Sequence, residues 1–183
     1  MRTMAIPCTD LRPSVICLGT ADIGLKNSEG QAWEVLSAWV ERGDTFIDTA
    51  RVYSDWAPGE RHRSERIVGD WLAGTGVRPE LIIATKCGFR MDADGKLRVF
   101  LRPEHIREDL EGSLRSLRVD RIDLSYVHTD DPEVPVAETI DTLDECEGTA
   151  RIRCYACSNW SLGRLRQAKK YAQSKGSRGF VAH

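Results

Sequence analysis

One pattern repeats along this chain: a short run of β-branched and apolar residues, a loop, and then an amphipathic helix. Six runs are predicted to be strands, at residues 15–19, 45–49, 81–86, 122–128, 152–158 and 180–182. Most neighbouring runs are far enough apart to hold a helical crossover, and such crossovers join parallel strands with right-handed connections. The pattern therefore predicts an α/β fold, either an open doubly wound sheet or a barrel.

The segments between the runs carry helix start and stop signals. Ser28 and Gln31 match the capping box that opens a helix, and Gly43 follows the last apolar position of that segment. Pro103 stands where a first helical turn tolerates proline. Apolar residues at helical spacing predict a buried stripe on each helix. The stripes are Ala32, Val35, Leu36, Trp39 and Val40; Ile67, Val68, Trp71 and Leu72; Ile106, Leu110, Leu114 and Leu117; Val136, Ile140 and Leu143; and Leu162, Leu165 and Ala168.

Two features favour a barrel over an open sheet. Residues 17–22 follow or end the first run and contain no Gly-x-Gly-x-x-Gly, the motif that supports a dinucleotide-binding open sheet. Polar residues also stand at the carboxyl ends of successive strands, where barrel enzymes build their sites. These strand-end residues are Thr20, Asp48, Lys86, His128, Ser158 and Asn159.

The length of the chain limits how much of a barrel it can build. An eight-unit barrel typically needs about 250 residues, and this chain has 183. We therefore expect a single domain over residues 1–183, an incomplete (β/α)8 TIM barrel with about five β/α units and part of a sixth strand. Residues 4–7 and 11–14 predict a hairpin across the barrel floor. Residues 51–64 and 87–102 are expected to be long loops over the site.

Composition and charge argue against several classes of partner. A formal charge of −2 gives no field that attracts nucleic acid or an anionic membrane. The apolar runs are strand-sized and the amino terminus has no signal core, so we expect a cytoplasmic protein with no membrane segment. Cys154 and Cys157 are three positions apart, which on a strand places them on opposite faces. No second pair or nearby histidine completes a metal site, and none is expected. The oligomeric state is left open.

Four residues match the needs of one reaction. Tyr53 follows Asp48 by five positions, and Lys86 and His128 end the next two strands. Reducing a carbonyl with hydride requires a proton for the developing alkoxide, and an unperturbed tyrosine, with a pKa of about 10, is a weak acid at neutral pH. A neighbouring ammonium stabilises the phenolate, an aspartate holds that ammonium, and a histidine hydrogen-bonds the substrate oxygen.

Each of these residues alone has a simpler explanation. Asp48 could cap a strand end, Lys86 could be a solvated charge, His128 could support a turn, and Tyr53 could be a surface aromatic. Three of the four belong to the ends of successive strands, and Tyr53 follows one of them closely. Because the carboxyl ends of adjacent parallel strands converge, this joint placement favours a shared catalytic site.

The segments around these residues resemble the signatures of the aldo-keto reductases. The resemblance rests on residues 46–53, 83–86, 122–128 and 157–160, and it runs from about residue 11 to the last residue. It implies reduction of aldehyde or ketone substrates with NADPH as the hydride source and Tyr53 as the proton donor. The residues it implies are Asp48, Tyr53, Lys86 and His128 for catalysis; Gly19, Thr20, Asp48, Ser158 and Asn159 for the cofactor; and Trp56, His128 and Trp160 for the substrate. Surface or core packing would explain either tryptophan equally well.

The chain also departs from the family's pattern. Ala150-Arg151 stands where the family usually has Gly-Lys, and Ala156 replaces a usual glycine. The last residues correspond to the start of the family's sixth strand, ahead of a glutamine and of the later strands and loops that also bind the cofactor. Two alternatives to a reductase therefore stay open: a cofactor-binding regulatory subunit of the same fold, and a non-functional truncated fragment.

Overall fold

The fold alternates strands and helices along the chain. A computed structural model describes all residues from 1 to 183. In chain order the elements are β1 (Leu18–Gly19), α1 (Glu29–Glu41), β2 (Phe46–Asp48), α2 (Arg63–Thr75), β3 (Ile82–Cys87), β4 (Phe89–Met91), β5 (Leu97–Val99), α3 (Pro103–Leu117), β6 (Ile122–Val127), α4 (Val136–Gly148), β7 (Ile152–Cys157) and α5 (Leu162–Lys175), with a short 3-10 turn at Arg78–Glu80.

Five strands form one parallel sheet in the order β1-β2-β3-β6-β7. At residues 180–182, where a sixth strand is expected, the chain runs beside β7 and makes two backbone hydrogen bonds to it without forming a regular strand. There the amide of Val181 donates to the carbonyl of Tyr155 at 3.0 Å, and the amide of Cys157 donates to the carbonyl of Ala182 at 3.2 Å. The order and the helical crossovers confirm the predicted α/β architecture with five β/α units.

The two faces of the sheet pack against different cores. The helices cover the outer face over a large cluster that includes Ile83, Ile106 and Ile140. The inner face carries a smaller cluster, made of Leu11, Ile82, Ala84, Leu124, Cys154 and Ala156. Leu11 belongs to the amino-terminal hairpin, in which the amide of Ile6 donates to the carbonyl of Leu11 at 3.0 Å. The predicted hairpin is therefore present, and its Leu11 packs against the inner face of the sheet.

Most of the predicted helix signals are confirmed. Both hydrogen bonds of the capping box between Ser28 and Gln31 are present, and Pro103 occupies the first turn of α3. The stripes of α2, α3 and α4 are buried along their whole predicted length. Two positions differ: Val35 of α1 is 46% exposed and Leu162 of α5 is 61% exposed.

The first strand is shorter than predicted. Only Leu18 and Gly19 pair with β2, and Ile16 is 54% exposed. Before them the chain is held by side chains: the amide of Ser14 donates to Thr45 Oγ1 and the amide of Thr45 donates to Ser14 Oγ, both at 3.2 Å. The amide of Val15 instead donates to the carbonyl of Arg2 at 3.0 Å, so this segment belongs to the amino-terminal hairpin and not to β1.

The predicted loop at residues 87–102 is in fact a hairpin. β4 and β5 pair in antiparallel fashion within it. Their turn is closed by Asp92, whose carboxylate accepts from the amides of Asp94 and Lys96, and Gly95 has a positive φ. The Asp-Gly pair is a turn signal that could have revealed the hairpin.

Two further features concern the strands and the helices. Cys154 belongs to the inner cluster and Cys157 to the outer one, which confirms that these cysteines lie on opposite faces of β7. Among the helices, none combines the length and the apolar character that crossing a membrane requires.

Candidate active site

The fold brings Asp48, Tyr53, Lys86 and His128 together at one end of the sheet. Asp48 is the last residue of β2, Lys86 is the penultimate residue of β3, and His128 directly follows β6. Since β2, β3 and β6 are neighbours, their carboxyl ends meet. Tyr53 reaches the same point from the loop after β2.

Lys86 is the centre of this group. Its ammonium nitrogen lies 2.5 Å from both carboxylate oxygens of Asp48, 2.9 Å from the phenol oxygen of Tyr53 and 2.9 Å from the carbonyl of Thr49. The side chain is nearly buried, so these contacts replace the water it would otherwise bind. With three donors, the ammonium can satisfy a carboxylate, a carbonyl and a phenol together, which fixes its position.

His128 completes the group beside the phenol. Its ring stands edge-on to the ring of Tyr53, with the centroids 5.9 Å apart. Burial, helped by the nearby Lys86 ammonium, lowers the pKa of His128 to about 4. At neutral pH the imidazole is therefore uncharged and carries a single N–H donor. Its Nδ1 is buried without a hydrogen-bond partner.

The loop that carries Tyr53 is held rigidly from behind. Ser54 has a φ of +72°, is fully buried, and donates from Oγ to the carbonyl of Ile23 at 2.8 Å. Asp55, also buried, accepts a 2.5 Å bond from the amide of His62 at the start of α2. Burial raises the pKa of Asp55. These bonds tie the loop to the β1–α1 connection and to the start of α2.

Ser158 and Asn159 lie beyond β7 at the same end of the sheet. Asn159 adopts a φ of +58°, and its Nδ2 donates to the carbonyl of His128 at 2.9 Å and to Ser158 Oγ at 3.1 Å. This leaves the Ser158 hydroxyl as a donor and Asn159 Oδ1 as an acceptor. A nicotinamide carboxamide requires one of each, so this pair fits the cofactor that the family resemblance implies.

Gly19 and Thr20, the other two expected cofactor residues, differ in position. Gly19 pairs with Asp48 across β1 and β2, and a Cβ at Gly19 would meet nothing within 4 Å, so open space lies above it. Thr20 is fully buried, and its hydroxyl bonds to the Asp48 carbonyl at 3.0 Å and to Ser64 at 2.9 Å. The Thr20 side chain therefore bonds to the backbone of Asp48 and to α2, and its expected contact with the cofactor stays a prediction.

The two tryptophans expected to contact the substrate also differ. Trp56 is 46% exposed and stands edge-on to Tyr53 at 6.3 Å, which suits a pocket wall. Trp160 is 5% exposed and packs in the outer core against Phe180, with centroids 5.0 Å apart, and against the guanidinium of Arg164. Trp160 thus packs in the core here, and its expected contact with the substrate stays a prediction.

One aromatic beside the site was missed in the sequence. Phe89, in β4, packs edge-on to His128 with ring centroids 5.3 Å apart. The sequence predicts a loop here, whereas the β4–β5 hairpin turns Phe89 toward His128 just after the end of β3. Tyr126 lies on the inner face of β6, and the centroid of its ring is 6.0 Å from the Lys86 ammonium nitrogen. Burial and the charge of Asp48 raise the pKa of Tyr126 to about 12.

Comparison with known sequences points to one family. A family model described as the aldo/keto reductase family matches residues 15–182. Norsolorinic acid reductase stcV of Emericella nidulans is 30% identical and covers 97% of this chain, while the match covers 47% of that protein. Aldo-keto reductase YhdN of Bacillus subtilis is 34% identical, over 90% of this chain and 49% of its own length.

Solved structures agree with the sequences. Aldo-keto reductase AKR11C1 from Bacillus halodurans superimposes with a TM-score of 0.81 at 28% identity, covering 93% of this chain and 54% of that one. Glycerol dehydrogenase AKR11B4 from Gluconobacter oxydans superimposes with a TM-score of 0.80 at 31% identity, and the match covers 93% of this chain and 52% of that one. The chain thus spans about half the length of the relatives it matches. With the family model covering nearly all of its residues, the chain belongs to the aldo/keto reductase family.

Proposed function

We propose that this chain carries the proton-donating site of an NADPH-dependent reductase of aldehydes or ketones. The observation that supports it most is the 2.9 Å contact between the Lys86 ammonium and the Tyr53 phenol, with the Asp48 carboxylate 2.5 Å from the same ammonium. A phenol held against a charge-compensated ammonium suits the protonation of an alkoxide. Family membership supports the same class of reaction.

Each residue has a distinct role in this proposal. Tyr53 gives its phenolic proton to the carbonyl oxygen as the alkoxide forms, and Lys86 stabilises the phenolate that remains. Asp48 keeps Lys86 in place. The neutral imidazole of His128 donates a hydrogen bond to the same carbonyl oxygen and orients it. Trp56, exposed beside Tyr53, forms one wall for the rest of the substrate.

The hydride is supplied by NADPH when that cofactor is bound. Ser158 and Asn159 would hold its carboxamide through the free hydroxyl donor and the free amide oxygen, and Gly19 would leave room beside Asp48. A relative from Schizosaccharomyces pombe, 31% identical, is named aldo-keto reductase yakc [NADP(+)], which favours the phosphorylated cofactor.

The proposal is tested by NADPH consumption. The purified chain is mixed with NADPH and a panel of aliphatic and aromatic aldehydes, and absorbance of the reduced cofactor is followed against a control without aldehyde. We expect aldehyde-dependent consumption. Binding in a fluorescence titration without consumption would instead support the regulatory-subunit alternative. If the chain neither binds nor consumes NADPH, the proposal fails for this polypeptide.

A further inference from the structure

We propose that Arg51 and Glu65 form a positioning pair that holds Tyr53 against Lys86 from the helix side of the sheet. Their side chains are 14% and 0% exposed, and Arg51 Nη1 lies 3.2 Å from Glu65 Oε2. Neither side chain bonds to the phenol or the ammonium, so neither is a catalytic residue. The catalytic meaning of the pair rests on the proposed function, whereas its effect on the position of Tyr53 does not.

Arg51 is fixed at its backbone and at its side chain. Its amide donates to the carbonyl of Lys86 at 3.1 Å, and its own carbonyl lies 2.8 Å from Nδ1 of His62. Its guanidinium then runs outward to Glu65. Because Arg51 precedes Tyr53 by two residues, any shift of the guanidinium is passed along a very short stretch of backbone to the phenol.

Glu65 connects this anchor to the strand that carries Lys86. Its Oε1 accepts a 2.6 Å hydrogen bond from the hydroxyl of Thr85, and Thr85 immediately precedes Lys86 in β3. Thus one buried carboxylate bridges a residue next to the phenol's loop and a residue next to the ammonium. The distance between Tyr53 and Lys86 is set from both sides.

The neighbouring helix leaves room for the guanidinium. A Cβ at Gly112 in α3 would lie 2.6 Å from Nη2 of Arg51 and 2.7 Å from its Cζ. A glycine inside a helix costs about 1 kcal/mol relative to alanine. Gly112 therefore makes α3 less stable but leaves space for the guanidinium. The guanidinium that fills the space also donates to Ser116 Oγ of the same helix at 2.9 Å. α3 is therefore fitted around Arg51.

Stability alone does not account for this pair. Burial raises the pKa of Glu65, which means that the site opposes the charge it holds. Buried ion pairs are often no more stabilising than apolar residues of the same volume. What the pair provides, and an apolar contact would not, is a fixed direction for both backbones.

The test compares two double variants of the full chain. Arg51→Met with Glu65→Gln removes the pair without leaving an unpaired buried charge. The control, Arg153→Met with Asp123→Asn, removes an ion pair at the other end of the sheet, where Arg153 Nη1 lies 2.9 Å from Asp123 Oδ1 and the side chains are 24% and 3% exposed. Asp123 also pairs with Arg78, at 2.8 Å, so this control is at least as disruptive to charge pairing as the first variant. We expect both to lower Tm.

Two measurements separate positioning from stability. In the first variant kcat should fall at least ~10-fold while KM changes less than about 2-fold, because a displaced donor costs rate more than binding. The control should keep kcat within about 2-fold of the parent. The ring resonance of Tyr53, from 13C-labelled tyrosine and assigned with Tyr53→Phe, should move in the first variant only. The single variant Arg51→Lys keeps a cation beside Glu65. It should therefore have a kcat and a Tyr53 resonance between those of the parent and the double variant.

The NMR measurement needs no turnover, so it decides the positioning role even if the chain proves inactive. If the Tyr53 resonance stays in place in the Arg51 and Glu65 variant, or moves equally in the control, the proposal is overturned. Should that double variant fail to fold, Glu65→Gln alone serves, since it keeps an acceptor for Thr85 while removing the charge that holds Arg51. The same two outcomes then apply.

Discussion

The ammonium nitrogen of Lys86 lies 2.9 Å from the phenol oxygen of Tyr53 and 4.6 Å from the centre of its ring. The two residues belong to different β/α units and meet because β2 and β3 are neighbours. A cation this close to both the hydroxyl and the ring holds the phenol in one position at the carboxyl end of the sheet. The Asp48 carboxylate contacts both groups, 2.5 Å from the ammonium nitrogen and 3.4 Å from the phenol oxygen.

Replacing Tyr53 with phenylalanine removes the proton donor and keeps the aromatic ring. We expect the rate of NADPH-dependent aldehyde reduction to fall by about 100- to 10,000-fold, the range typical of general acid catalysis. Thermal denaturation should show little change in Tm. The matched control is Tyr171→Phe, which removes a hydroxyl bonded to Asp141 on the outside of the fold. Equal rates in the two variants would contradict the role of Tyr53.

Replacing Lys86 with methionine should harm both activity and stability. The variant leaves Asp48 without its partner, and that side chain is only 23% exposed. We expect a loss on the order of 2 kcal/mol in urea unfolding, below the range for fully buried pairs. Adding Asp48→Asn should recover most of that stability, because no unpaired charge remains, and none of the activity. A double variant as unstable as Lys86→Met would contradict this explanation.

His128 should make the fold less stable in mild acid. Its pKa falls from the ordinary 6.5 to about 4 in the folded chain. Below pH 6.5 the imidazole is protonated in the unfolded chain but stays neutral in the folded chain until the pH approaches 4. Lowering the pH through this range therefore favours the unfolded chain. The contribution is therefore complete above pH 6.5 and is lost across the window from 6.5 down to 4.

This pH dependence is measurable in a variant. We expect His128→Gln to lose less stability than the parent between pH 7 and pH 5, by on the order of 1 kcal/mol given that the ring is partly exposed. His183→Gln, at an exposed position, should keep the parent's dependence. Parallel curves for His128→Gln and the parent would show that the imidazole titrates normally.

Residues whose position depends on strand geometry were predicted well from the sequence. Lys86 and His128 were assigned to the site because alternation along β3 and β6 places them at the inner ends of neighbouring strands, and the structure brings them together. Asp48 follows from the same logic in β2. Tyr53 needed the family resemblance as well, since loop length alone does not fix where a side chain goes.

The direction of side chains just beyond the strand ends could not be predicted from the sequence, because it depends on tertiary contacts. Thr20 turns away from the site to reach the carbonyl of Asp48 and Ser64. Trp160 enters the outer core beside Phe180. Phe89 reaches the site through a hairpin too short to show a clear alternation. For each of these residues, the alternation of side chains along the preceding strand no longer predicts which way the side chain points.

Ala150 should be a point of stored backbone strain. It has a φ of +58°, and the end of α4 closes as a Schellman motif around it: the amide of Ala150 donates to Glu147 at 2.9 Å and that of Arg151 to Cys146 at 3.0 Å. This conformation costs an L-residue roughly 1–2 kcal/mol, and glycine would relieve that strain. Part of the gain is offset because glycine also gives the unfolded chain more conformational freedom. We expect Ala150→Gly to raise the free energy of unfolding by about 0.5–1 kcal/mol.

The same substitution at Ala156 should have the opposite sign. Ala156 is fully buried in the inner cluster, within β7, and its φ is negative. Glycine there would remove a buried methyl group and add freedom to the unfolded chain, a loss of about 1–2 kcal/mol. Urea unfolding of the two variants compares identical chemical changes that differ only in backbone conformation and packing. If both are destabilised, Ala150 is not strained, and the glycine that the family usually places there has another reason.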